Sequence, residues 1–215
     1  MKSLPHLGRF FRHLLCVAGL LNMTLAMAAP LQAGRDYTLV DPPLVTPKDK
    51  IEVVEFFSYG CSHCNDFHGV LDAWAAKLPK DVVLRRVPVS FNRPAWAKLS
   101  RLYYSLEIGG DINRLNSAVF RALHQERVNF SSDEAVTNWA VKNGVDGKKF
   151  TDLMTSFGVQ SMVARADQEA VAAKINGVPS LVVNGKYLLS NEAAGSYEEL
   201  LKRADLLIAS ERKGK

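Results

Sequence analysis

The spacing of apolar positions changes period several times along the chain. "IEVVEFFS" (51–58) is β-branched and aromatic almost throughout, the pattern of a buried strand. From Ser62 the period becomes helical: Cys64, Phe67, Leu71, Trp74 and Leu78 recur on one face until Pro79 ends the run. "VVLRRVPVSF" (82–91) is a second strand, so this part reads strand–helix–strand, a βαβ unit with a parallel sheet. An extended arm with a short strand-like Tyr37–Val40 and three prolines comes before it.

The next stretch carries helical patterns only. "RPAWAKLSRLYYSLEIGG" stops at Gly109-Gly110, and "DINRLNSAVFRALHQ" starts from an Asp111 cap. "SSDEAVTNWAVKNG" starts at a Ser/Asp cap signal and ends at Gly144. "DGKKFTDLMTSFG" puts Phe150, Leu153, Met154 and Phe157 at i, i+3, i+4 and i+7, and "VQSMVARADQEAVAAKING" repeats that face. Strands return in "VPSLVVNGKYLL", two short runs joined by the hairpin signal Asn184-Gly185. A last helix, roughly Tyr197–Ser210, follows a capping box of Ser196 and Glu199. The pattern predicts an α/β domain, residues 29–91 and 176–215, interrupted by an all-helical domain over 92–175.

Residues 1–28 read as a removable export signal. Lys2, Arg9 and Arg12 make a basic start without an acid, Leu14 to Leu25 is apolar but short for a membrane span, and Ala26-Met27-Ala28 fits the small-x-small cleavage rule. Its loss removes three positive charges and no negative ones, taking the net charge from +5 to +2. That balance gives no basis for nucleic-acid binding.

Cys16 leaves with the signal, so Cys61 and Cys64 are the only cysteines of the mature chain. A disulfide between them closes too short a loop to stabilise much, which favours a redox or a metal role over a staple. Cys61, Cys64 and His68 share a helical face, but with only His63 and His124 in addition the donor set is weak for structural zinc. A third alternative is a peptide-binding chaperone whose apolar groove is lined by Tyr59 and Val178.

A βαβ unit, C-x-x-C at its strand-to-helix junction and an X-Pro before a hairpin describe the thioredoxin fold. "EFFSYGCSHC" (55–64) and "GVPSLVVNGKY" (177–187), with the helical insertion between them, resemble the DsbA-type thiol:disulfide oxidoreductases of the bacterial periplasm. The resemblance covers essentially the whole mature chain. It implies an oxidant that donates a Cys61–Cys64 disulfide to reduced, cysteine-containing exported proteins. It also implies a quinone-linked membrane oxidase of the DsbB type as the reoxidising partner, a monomer and no bound cofactor or metal. Disulfide isomerases and reductases of the same superfamily are the nearest alternative, but isomerases usually carry a dimerisation domain before the fold. About 20 residues between Ala29 and Ile51 leave no room for one.

The residues fit this chemistry. Cys61, at a helix start, is the expected nucleophile, because unpaired N–H groups and the helix dipole favour its thiolate. Cys64, one turn on, is the resolving thiol. His63 is expected to donate to the thiolate or to carry charge beside it. Ser62 stands where the family usually has proline, which leaves the exact potential open and the chemistry intact. The resemblance further implies a cis Val178–Pro179 bond against the cysteines, with the Val178 backbone pairing an extended substrate. Glu55 falls inside the apolar strand, where a buried carboxylate either relays a proton for Cys64 or forms a structural ion pair. The resemblance implies such a proton role and a basic partner on the next strand, where Arg86 aligns best.

Overall fold

The computed structural model describes residues 31–214; the expected signal segment lies outside them. A five-stranded sheet has the order β1 (Thr38–Leu39), β5 (Tyr187–Ser190), β4 (Ser180–Val183), β2 (Ile51–Phe57), β3 (Val82–Pro88). The β2–β3 pair is parallel and is joined through helix α1 (Ser62–Ala75); the other pairings are antiparallel.

All seven residues of β2 are buried, and strand alternation divides them between two cores. Ile51 and Val53 pack with Phe67 and Leu71 of α1 and with Leu200 and Ala204 of the C-terminal helix α8 (Tyr197–Lys213). Val54 and Phe56 join the core built with helices α2 (Pro94–Gly109), α3 (Ile112–His124), α4 (Asp133–Lys142), α5 (Gly147–Thr155) and α6 (Phe157–Ala172). A buried side chain of this size contributes about 1.5–3 kcal/mol, so both faces of β2 are strongly specified. Its two acids, Glu52 and Glu55, therefore need partners. Arg85 of β3 serves Glu52 at 2.9 Å and Glu169 of α6 at 2.6 Å, tying the helical block to the sheet.

The hairpin turn is as expected, with positive φ at Asn184 (49°) and Gly185 (69°). A Cβ on Gly185 would overlap the Leu44 carbonyl, and Leu44 N–H donates to the Gly185 carbonyl at 2.9 Å. Glycine is what lets the N-terminal arm lie against the turn.

Several boundaries differ from expectation for local reasons. α1 ends at Ala75, although Leu78 still packs against the α1–α8 core. Asp111 does not cap α3 with its side chain; its carboxylate accepts from Arg114 Nη2 at 2.6 Å instead. Phe157 is not the fourth member of the α5 face. Ser156 Oγ accepts from Val159 N–H at 3.2 Å and starts a new helix, leaving Phe157 at the first position of α6 and 85% exposed. A one-turn helix α7 (Asn191–Ala194), capped by Ser190, lies between β5 and α8 and was not anticipated.

Candidate active site

The end of β2 delivers the chain to Cys61, which is the N-cap of α1 with extended φ/ψ of −95° and 120°. Its Sγ accepts from Cys64 N–H at 3.3 Å, the place that a Ser or Asp oxygen usually fills. Both cysteines are free thiols. The Cys61 thiol is pulled down to about 6 by the hydrogen bond from the Cys64 thiol, then by the N–H groups of Cys64 and His63 and the nearness of the His63 ring, all working against burial. Burial first, then the bond to Cys61, pushes Cys64 far up. Cys61 is 9% exposed and Cys64 is fully enclosed. One sulfur, at the edge of the core, is thus favoured as a thiolate and its fully enclosed partner is held protonated.

The Val178–Pro179 bond is cis. In the thiol form Cys61 donates to the Val178 carbonyl at 3.4 Å, which brings the hairpin entrance against the sulfur. Pro179 contributes no N–H here.

Beneath α1, Glu55 of β2 is opposite Arg86 of β3 in the parallel register. Glu55 Oε2 accepts from Arg86 Nε at 2.9 Å, while Oε1 is buried without a partner. Arg86 also pairs with Asp72 of α1, a residue that the sequence reading passed over. Burial pushes the Glu55 carboxyl up to about 7 despite Arg86.

The DsbA-like thioredoxin domain model matches residues 52–202. The chain is similar to the thiol:disulfide interchange protein DsbA of Bordetella parapertussis, 41% identical over 94% of this chain and 98% of that one. It is also similar to DsbA of Pseudomonas aeruginosa, 38% identical over 93% and 94%. The chain belongs to the DsbA-like thioredoxin-domain family. The crystal structure of the Pseudomonas DsbA superimposes with a TM-score of 0.81 at 37% identity, covering 86% of this chain and 96% of that one. Xylella fastidiosa DsbA gives 0.80 at 29% identity, covering 85% and 98%. The chain is a thiol:disulfide oxidoreductase with a thioredoxin fold and a helical insertion.

Around this DsbA-type centre, Ser62 and His63 are exposed beside Cys61, and the His63 ring makes no hydrogen bond to the sulfur; its backbone N–H and its nearness act instead. Tyr59 does not line a groove. It is fully buried, with its hydroxyl donating to Asn116 Oδ1 at 2.7 Å. His68 is partly exposed; it stacks on Phe120, ring centroids 4.5 Å apart, and its Nδ1 lies 2.5 Å from the Asn65 carbonyl. His124 Nε2 is 2.7 Å from the Tyr59 carbonyl, two residues before Cys61. Trp96 of α2 closes over Gly60, where a Cβ would come within 2.7 Å of its Nε1. His124 and Trp96 carry no local spacing signal. Asp72 had one: it stands two helical turns beyond Cys64.

Proposed function

We propose that Cys61 is the atom exchanged with substrates and Cys64 the resolving thiol of a periplasmic disulfide donor. A substrate thiolate attacks Cys61 Sγ of the oxidised pair; the Cys61–Cys64 bond breaks and the electron pair goes to Cys64. Glu55, near neutrality, hands a proton toward Cys64, which burial disfavours as an anion. A second substrate thiolate then attacks the substrate sulfur of the mixed disulfide, and Cys61 leaves as the stabilised thiolate. The substrate loses two electrons and the enzyme gains them.

Val178 pairs its backbone with an extended substrate, Pro179 withholds a competing donor from the sulfurs, and His63 and Ser62 border the approach. The block 92–175, contributing Trp96 and His124 to the frame around Gly60 and Tyr59, caps the thioredoxin-like part. The export signal read over 1–28 supports a periplasmic location. Reduced cysteine-containing exported proteins are the substrates, a quinone-linked membrane oxidase of the DsbB type restores the disulfide, and the protein works as a monomer without a bound cofactor.

The observation that carries this reading is the division between the two thiols: Cys61 at the edge of the core and pulled down to about 6, Cys64 fully enclosed and pushed up. A stabilised dithiol makes the disulfide a strong oxidant, a relation the DsbA family itself exemplifies. Equilibration with graded glutathione buffers, read by alkylation and mass, tests it. The pair should stay reduced until the buffer is strongly oxidising. A pair that remains disulfide-bonded in reducing buffer would make the protein a reductase.

A further inference from the structure

Tyr197, the first residue of α8, reaches across to the active-site helix. Its hydroxyl donates to the His63 carbonyl at 3.0 Å, and its ring lies on Phe67 with centroids 5.0 Å apart. Ser196 fixes that end of α8 by accepting from Glu199 N–H at 3.1 Å. The His63 carbonyl and the Cys64 N–H are opposite ends of one peptide group. That N–H is the donor 3.3 Å from Cys61 Sγ. A donor on the oxygen of a peptide polarises its N–H, and bonds joined in this way strengthen one another. A helical carbonyl engaged by the N–H four residues on keeps a second lone pair for such a donor.

We propose that Tyr197 is a positioning residue for Cys61, acting through the His63–Cys64 peptide. Its hydroxyl is the outer end of a chain of hydrogen bonds that ends on the reacting sulfur, and so favours the thiolate over the disulfide. The proposal rests on the reading of Cys61 as the exchanging thiolate. The phenol is suited to the part: burial, then the charges of Asp66 and the two cysteines, raise its pKa and keep it a donor while the thiolate is present. The two bonds are unequal partners in redox terms. A contact that only docks α8 on α1 would support the oxidised and reduced enzymes alike; one that reaches the sulfur favours the form in which the sulfur is charged.

The test uses Tyr197→Phe, which removes the hydroxyl and keeps a ring on Phe67, and Tyr197→Leu, which removes both. Cys61 ionisation is followed by thiolate absorbance, and the redox equilibrium by glutathione titration. Both variants should raise the Cys61 pKa by about half a pH unit and weaken the oxidant about two- to fourfold, the scale of cooperative strengthening on one charge-assisted bond. Tyr197→Leu should lose further stability equally in both redox forms. A Tyr197→Phe protein whose Cys61 titration and equilibrium match those of wild type overturns the proposal. A wild-type Cys61 that does not titrate low overturns the thiolate reading, and this proposal with it.

Discussion

Glu55 and Arg86 face each other across β2 and β3 with Oε2 and Nε 2.9 Å apart, yet the second oxygen of the carboxylate has no partner. The guanidinium is shared, since Asp72 takes Nη2 from the other side. One half-shared cation does not offset the removal of a carboxylate from water, so burial dominates and the group titrates near 7.

Glu55→Gln tests what that carboxyl does. If it moves the proton for Cys64, the variant should slow formation of the mixed disulfide, the step in which Cys64 leaves, several-fold. The pH–rate inflection near 7 should vanish, while Cys61, which loses a like charge near it, should alkylate at least as readily as in wild type. Stopped-flow exchange with a model peptide across pH 5–9 reads both. The sign for stability follows from the raised value. The folded group holds its proton longer than the unfolded one, so its contribution is intact below about 4.3 and is lost as pH rises through about 7. Denaturant unfolding should show wild type losing on the order of 3 kcal/mol over that window relative to Glu55→Gln.

Arg86→Met removes the one cation that Glu55 touches. Without Arg86 the buried carboxyl, already near half-protonated at pH 7, should hold its proton to higher pH, so the stability loss should be small below neutrality and grow as pH rises above it. Much of that loss should be recovered in Glu55→Gln/Arg86→Met, where no charge is stranded. Urea midpoints of the two single variants and the double give the coupling.

Cys61 titrates in the opposite sense. Its folded value of about 6 is below the ordinary thiol value near 8.5, so the dithiol is stabilised above 8.5 and loses that contribution as pH falls to 6. The disulfide form has no such titration. Calorimetry of the two forms should show the reduced protein's advantage in melting temperature widening from pH 6 to 8.5; parallel curves would contradict the thiolate.

Cys61→Ser should abolish oxidation of a reduced substrate; Cys64→Ala, which has no disulfide to donate, should instead attack a substrate disulfide, displace one substrate thiolate and keep the mixed disulfide on Cys61, visible as a mass adduct released by reductant. A peptide-binding chaperone would keep its activity in the first variant.

Gly60→Ala probes the frame around the nucleophile. The new Cβ would meet Trp96 Nε1 at 2.7 Å, and such overpacking costs about 1–3 kcal/mol. Adding Trp96→Leu should relieve most of it, so the double variant should be more stable than the sum of the singles implies.

Much of the fold was legible in residue periodicity. The buried β2 run, the helical face from Cys64 to Leu71 and the Asn184-Gly185 turn each satisfy a local rule that the tertiary structure leaves in force. Glu55 was readable as an acid inside an apolar strand, whereas its partner Arg86 came from the family resemblance, since spacing alone does not fix the register of parallel strands. Phe157 misled because its spacing fitted the α5 face, while Ser156, one residue earlier, had the stronger local preference as a cap. Tyr59 looked like groove lining because aromatic residues near a reactive site are often exposed; Asn116, far along the chain, gives its hydroxyl a buried partner. His124, Trp96 and Tyr197 reach the site from helices distant in sequence, where no spacing rule connects them to Cys61.

Cys61 Sγ, the atom proposed to react, is also the N-cap of α1. In the disulfide that sulfur carries no charge and is a weaker acceptor for the Cys64 N–H, so oxidation gains a covalent link but leaves the helix a poorer start. The molecule ready to act is then the more perishable one, and the spent molecule the better preserved against local opening and proteases. The working lifetime of a pool of this enzyme depends on how long its members wait, charged with their disulfide, before they meet a substrate.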